Sequence, residues 1–323
     1  LEPAQALALL RSAHRRTLAR TLSRAESRLA TDREWLDALW AANGPPTALA
    51  LRVAVTGPPG AGKSSLLEVI GPALLRSGHG VAVLPVDPSS RRSGGSLLAD
   101  VTRMPQLSAD PRAYVRPSAS RQMLGGVAVH TLESVEICEL AGYDSVFVET
   151  VGVGQSEADA ELVADVVMLV VPPHSGDALQ ALKRGINEIC DAVVVNKADG
   201  PQRIEAERLA ADYEAALSLF RETSVPVFCV SSKEGTGIDA LTEWLDQRRG
   251  SLLKDEQASL AHRAGQRRRF FERVVNQSLL SELLTRPGLA ERYDEVLGQV
   301  QEGRLRTRSA LARIIDDVLG AAP

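Results

Sequence analysis

Between residues 4 and 42, apolar positions recur every three or four residues against a charged background: Leu7, Leu10, His14 and Leu18, then Leu36, Leu39 and Trp40. That period predicts amphipathic helices. Thr31 with Glu34 three residues on reads as a capping box, and Asn43-Gly44-Pro45-Pro46 as a stop. From 51 to 249 the rhythm changes to short β-branched runs at 51–56, 81–86, 113–116, 145–149, 166–171, 192–196 and 227–230. Helix-length stretches separate most of them, the pattern of a mainly parallel sheet flanked by helices on both faces. Beyond Gly250 no strand pattern remains, and 251–285, 288–302 and 305–319 read as helices. The expected organisation is an N-terminal helical arm (1–46), an α/β domain (47–250) and a C-terminal helical region (251–323). The tail's apolar positions Phe270, Val274, Leu279, Leu280 and Leu283 recur at helical spacing, as a surface joining two copies into a homodimer requires.

Composition narrows the classes. The 323 residues are 44% hydrophobic and 24% charged with a net charge of -4, which suits a large core and argues against disorder. The densest apolar run, 166–171, is far shorter than the ~20 residues of a membrane-spanning helix. Arginines and Glu26 interrupt the first helical stretch, so no signal peptide is expected and the expected compartment is the cytoplasm. Cys138, Cys190 and Cys229 form no CxxC and lie among apolar neighbours, as buried reduced thiols do. The five histidines show no paired spacing, so no protein-built zinc or haem site is expected. Residues 51–250 carry 18 basic against 26 acidic side chains, which argues against nucleic acid as a partner. Lysine is scarce: Lys63, Lys183, Lys197, Lys233 and Lys254 are the only five among 37 basic residues.

The chemistry enters at Gly57-Pro58-Pro59-Gly60-Ala61-Gly62-Lys63-Ser64-Ser65, a G-x-x-x-x-G-K-S loop between a strand and a helix. Backbone N–H groups of such a loop wrap a β-phosphate, Lys63 meets the β/γ charge and the Ser64 hydroxyl ligates Mg²⁺. A hard cation there also needs carboxylates near strand ends, and the candidates are Asp87, Asp100 and Glu149. Glu149 opens Glu-Thr-Val-Gly152-Val-Gly154-Gln155. In that loop Gly152 is the candidate γ-phosphate contact and Gln155 the candidate for orienting water. Asn196-Lys197-Ala198-Asp199 ends a β-branched run. The Asp199 carboxylate can accept from guanine N1–H and its 2-amino group, a donor pair adenine lacks, while the Lys197 stem covers the base plane. One strand later, Ser231-Ser232-Lys233 is placed for backbone contact with guanine O6. Together these motifs favour GTP over ATP. A dimeric nucleotide-binding scaffold with negligible turnover, or a P-loop kinase or ATPase, are the competing readings.

Val-Asp-Pro-Ser-Ser (86–90), Gly-Gly-Ser-Leu-Leu-Ala-Asp (94–100), Thr-Arg-Met (102–104), Arg-Pro-Ser (116–118), Leu-Gly-Gly (124–126), Glu-Thr-Val-Gly-Val-Gly-Gln-Ser-Glu (149–157) and Asn-Lys-Ala-Asp go beyond a generic GTPase. With them the chain resembles the MeaB/ArgK-type P-loop GTPases along essentially its whole length. The resemblance implies a metallochaperone for a coenzyme B12-dependent acyl-CoA mutase, gating cobalamin loading at the expense of GTP. It also implies a homodimer made by the tail, and a switch loop from Pro172 to Lys183 that faces the mutase. Lys183 would add positive charge to the catalytic set once a partner orders it. Cobalamin would enter only through the mutase, because no D-x-H-x-x-G pattern is present. The chain departs from the family at Asp100-Val101, where Asp-Lys is usual, and at Pro173-His174-Ser175-Gly176-Asp177-Ala178, where Pro-Gly-Ala-Gly-Asp-Glu is usual. Both departures remove charge near the nucleotide or the partner, which leaves open which mutase is served.

Overall fold

A strand that is apolar at every position, as β6 (Val166–Val171) is, cannot leave a face in water, and both β6 and β1 (Leu51–Thr56), the latter with Arg52 and Thr56 among its residues, are buried at all six positions. The computed structural model describes residues 1–27, 29–44, 49–87, 104–116, 118–119, 129–150, 160–174, 190–220, 224–285 and 288–320. Around β1 and β6 lie β2 (Val81–Asp87), β3 (Ala113–Val115), β4 (Ser118–Ala119), β5 (Ser145–Thr150), β7 (Ala192–Val195) and β8 (Val227–Cys229). They form one eight-stranded sheet in the order β3-β2-β5-β1-β6-β7-β8, with β4 beside β2. Every pairing is parallel. The seven expected strands are present with ends within one residue; two-residue β4 is too short to leave a pattern. Parallel pairing puts all carboxyl ends on one edge, where the loop after β1 meets the end of β5 and the residue that follows β7.

Alternation sorts the side chains between two faces. On one face, α4 (Lys63–Arg76) and α8 (Ile238–Lys254) bury Leu66, Ile70, Leu74, Leu241 and Leu245 against Val53, Val55, Val83 and Met168. The short α5 (Pro105–Ala109) joins this layer, its first amides donating to Glu68 of α4 at 2.7 and 3.3 Å. On the other face, α7 (Arg203–Phe220) sets Ala206, Ala210, Tyr213 and Leu217 against Val193 and Val195. Beside it, α6 (Val129–Leu140) shares a core with the arm helices α1 (Pro3–Arg11), α2 (Arg15–Ala25) and α3 (Ala30–Asn43). Leu10, Leu18, Leu22 and Leu39 of the arm pack with Leu84, Val135, Val146 and Val148.

Two local expectations in the arm are corrected. His14 is not a stripe residue; Ala13 turns the chain at φ 56°, and His14 Nδ1 accepts the Thr17 amide at 3.3 Å as the N-cap of α2. Thr31 forms no cap, because α3 begins at Ala30 with Leu29 in the capping position, which leaves Thr31 inside the first turn.

At the end of the sheet away from the loops lies a buried ion network that the strand pattern conceals. Arg52, the second residue of β1, is 2% exposed. Its Nε and Nη2 donate to Glu139 at 2.9 and 2.5 Å. Burial works against the Arg52 charge, but Glu139, Glu136 and Asp165 outweigh it and hold its pKa above the ordinary arginine value. From α9 (Glu256–Thr285), Arg263 donates to Glu139 at 2.8 Å, to Asp165 at 2.6 and 3.0 Å and to the Ala50 carbonyl at 2.5 Å. Gln266 adds bonds to the carbonyls of Glu161 and Ala164 at 2.8 and 2.6 Å. The start of α9 is thereby fastened to the base of the sheet.

The chain divides into two compact units, 1–266 and 267–323. In the second, α10 (Leu289–Gln301) and α11 (Thr307–Gly320) pack on each other through Val296 and Ala310, and Arg292 Nε reaches Asp317 at 3.0 Å. Leu311 and Ile315, one turn apart on α11, remain 60% and 46% exposed.

Candidate functional site

The loop after β1 is shaped by close approaches as much as by turns. Gly57 has φ 138°, and a Cβ there would stand 1.9 Å from the Val170 carbonyl oxygen of neighbouring β6. Gly62, at φ 88°, is the N-cap of α4, and its Cβ would stand 2.6 Å from Asn196 Nδ2. Gly60, at φ 77°, faces open space. Ala61 is fully buried, so the loop is pinned to the core while its Gly60 corner stands free. Lys63 folds back across the loop, its Nζ donating to the carbonyls of Gly57 and Pro58 at 2.7 and 3.2 Å. With the first-turn amides and positive dipole end of α4 beside it, the loop is a cradle for an anion.

Ser64 Oγ donates to Glu149 Oε1 at 2.7 Å. Glu149 sits on β5 in register with Val55 of β1 and Pro85 of β2, at the carboxyl edge. A hydroxyl and a carboxylate in contact at the foot of a phosphate loop are hard oxygen donors that suit Mg²⁺, which binds through one or two carboxylates plus substrate phosphates. A bound ion would offset the negative charge of the phosphates. Asp87 ends β2 on the same edge, its backbone in register with Ala119; its side chain lies outside the described residues. Asp100, Gly152, Gln155 and Lys183 also lie outside them.

The second half of the site is knit by one amide. Asn196, 1% exposed after β7, donates from Nδ2 to the carbonyls of Ala61 and Gly62 at 3.1 and 3.2 Å. Its Oδ1 accepts from the Lys197 amide at 2.8 Å and from the Ser232 amide and hydroxyl at 3.2 and 2.8 Å. Asn196 therefore clasps the phosphate loop, its own strand end and the loop after β8. Lys197 takes φ 64°, a left-handed conformation costly for a residue with a Cβ, and its side chain is exposed beside the loop. Asp199 is oriented by Ser231 Oγ, which donates to it at 3.1 Å, and Lys233 Nζ stands 3.9 Å away. Ser231, expected only as a backbone contact, thus acts through its side chain on Asp199. The clasp by Asn196 leaves no signal in spacing, since it joins positions 134 and 135 residues apart.

The thiols do not compete for this role. All three cysteines carry free thiols, and burial pushes the Cys138 thiol far above its ordinary range, away from nucleophilic use. No helix among the described residues is long and apolar enough to cross a membrane.

A strand–loop–helix phosphate cradle, a carboxylate on its serine and an N-K-x-D strand end on one parallel-sheet edge define a P-loop GTPase. The family model described as "Methylmalonyl Co-A mutase-associated GTPase MeaB" matches residues 18–287. The chain is 41% identical over 293 residues to a putative GTPase of Caulobacter vibrioides, covering 90% of this chain and 89% of that one. It is 39% identical over 295 residues to the mouse protein named methylmalonic aciduria type A homolog, mitochondrial, covering 90% and 69%. A crystal structure of a protein called LAO/AO transport system kinase superposes with a TM-score of 0.79 at 29% identity, covering 98% and 97%. The chain belongs to the MeaB family, and it is a GTPase.

Proposed function

We propose that this GTPase is the chaperone of a coenzyme B12-dependent acyl-CoA mutase, coupling GTP turnover to cobalamin loading and to protection or reactivation of the mutase. The family match over 18–287 is the observation that carries this reading. The first curated relatives support it, one being named for methylmalonic aciduria. Lys63 and the loop amides hold the β- and γ-phosphates, Ser64 and Glu149 hold Mg²⁺ together with Asp87 and Asp100, and Asp199 reads the base. Gly152 and Gln155 sense the γ-phosphate and position water, and Lys183 adds charge in the mutase-bound state. Cobalamin enters through the mutase alone. The chain works in the cytoplasm as a homodimer joined by the tail, a reading supported by the exposed Leu311 and Ile315.

A chaperone driven by a nucleotide must bind its client differently in its two nucleotide states. Affinity for a purified B12-dependent acyl-CoA mutase, measured with GDP and with a non-hydrolysable GTP analogue, should differ at least about fivefold. Equal affinities, or no binding in either state, would contradict the reading.

A further inference from the structure

The connection between β5 and β6 starts on the nucleotide edge, where Glu149 meets Ser64 at 2.7 Å, and it enters β6 through a turn at 160–165. In that turn the amides of Val163 and Ala164 donate to the Ala160 carbonyl at 3.2 and 3.1 Å. Ala160, Leu162, Val163 and Ala164 are all buried. Where a helical turn ends, its last carbonyls lose their amide partners, and when buried they must find donors elsewhere. Here the donor comes from α9. Gln266 Nε2 reaches the carbonyls of Glu161 and Ala164 at 2.8 and 2.6 Å. A primary amide carries two hydrogens, so one side chain can serve both. Gln266 is 1% exposed, and its Oε1 has no hydrogen-bond partner among the described residues. An acceptor left unpaired in the interior costs roughly 1–3 kcal/mol, so the side chain is retained for what its nitrogen does.

The residue before β6 is held by the same stretch of α9. Asp165 accepts Arg263 Nε and Nη2 at 3.0 and 2.6 Å and the Arg52 amide at 2.9 Å, while its own amide donates to the Arg52 carbonyl at 2.9 Å. The apolar cluster that joins the turn to the sheet is made of small side chains, Ala160 and Ala164 against Ala54 of β1 and Val167 of β6. Such groups bury little area each, and apolar contact has no direction. The orientation of the turn is therefore set by the polar bonds from Gln266 and Arg263.

Gln155 stands five residues before Ala160 in the sequence, and Gly152 three before that. We propose that Gln266, backed by Arg263, is a positioning residue for GTP hydrolysis. By fixing the turn at 160–165 it sets the frame in which Gly152 and Gln155 meet the γ-phosphate and the attacking water. The proposal rests on the role given to those two residues above, and it needs no partner protein. A misplacement of ~1 Å in a reacting group can cost ~100-fold in rate, so a side chain that touches no nucleotide can still control turnover. The coupling is reciprocal, so a change at the γ-phosphate that bears on the turn also bears on the start of α9.

The test uses the full chain with Mg²⁺ and no mutase. Gln266→Leu keeps the bulk of the side chain and removes both donors. Turnover is expressed per nucleotide site, with sites counted by GDP titration, so that any unfolded fraction drops out. The kcat should fall at least about tenfold while the Kd for GDP stays within about threefold. A glutamine that only braced the fold would lower the unfolding midpoint and leave kcat per site unchanged, and that result would overturn the proposal. A loss of GDP affinity as large as the loss of kcat would overturn it too. Gln155→Ala, measured alongside, keeps the two readings apart. Slower turnover in Gln155→Ala without any in Gln266→Leu defeats the proposal, whereas the reverse defeats only the water-orienting role of Gln155. The unsubstituted protein supplies a second measurement that does not depend on the leucine variant folding. Amide hydrogen exchange over 256–266 should differ at least about threefold between GDP and a non-hydrolysable GTP analogue, and equal exchange in the two states would contradict the coupling.

Discussion

Gly57 and Gly60 look alike in the motif and differ in physical necessity. At Gly57 a methyl group would meet a backbone carbonyl that cannot move without breaking the β1–β6 ladder. At Gly60 it would meet only the cost of a left-handed residue, about 1 kcal/mol. Gly57→Ala is expected to destabilise the fold by about 3 kcal/mol or more and to abolish GDP binding. Gly60→Ala should stay folded and lose stability only by that smaller amount, as denaturant unfolding with and without GDP will read. Asp199 makes a second contrast. Replacing its carboxylate with an amide, Asp199→Asn, should cost GTP roughly 2–4 kcal/mol of binding, and xanthosine triphosphate, with oxygen in place of the amino group, should recover much of it. Unchanged GTP affinity in that variant would show that Asp199 does not read the base.

Among the elements, the beginning of α9 is the one whose placement depends on charge rather than on apolar packing. Arg263 is 2% exposed and serves Glu139, Asp165 and Ala50 together. Arg263→Ala would leave two buried carboxylates short of a partner and should cost roughly 3–5 kcal/mol. Arg268→Ala, five residues further on in an exposed pair with Glu272, should leave the unfolding midpoint where it was. Comparable losses in both variants would mean that the network does not anchor the helix. This is also where the sequence was least informative. The strands were legible because fully apolar runs such as 166–171 have few alternatives, and the phosphate loop because its spacing is rare. Arg52 was hidden inside a strand pattern, and Arg263 inside a helix rich in arginine. Only a fold that brings residues 52, 139, 165 and 263 together distinguishes them from solvated charges. The Asn196 clasp escaped for the same reason, and the capping box at Thr31 misled because a local motif competes with where the helix is packed.

At the scale of the whole molecule, the parallel sheet gathers the phosphate loop, Glu149 and the N-K-x-D strand end on one edge. The arm shares a core with α6 on part of one face of that sheet, and residues 267–323 form a second compact unit of helices. A GTPase built this way needs something to read its nucleotide state, and the proposed reader is the acyl-CoA mutase. The most direct test is phosphate release from the intact protein under saturating GTP or ATP, with and without a purified B12-dependent acyl-CoA mutase. The account predicts turnover with GTP and not with ATP, slow for the chain alone and at least about tenfold faster with the mutase, a barrier change of ~1.4 kcal/mol. A rate that the mutase leaves unchanged, or equal turnover of ATP, would contradict it.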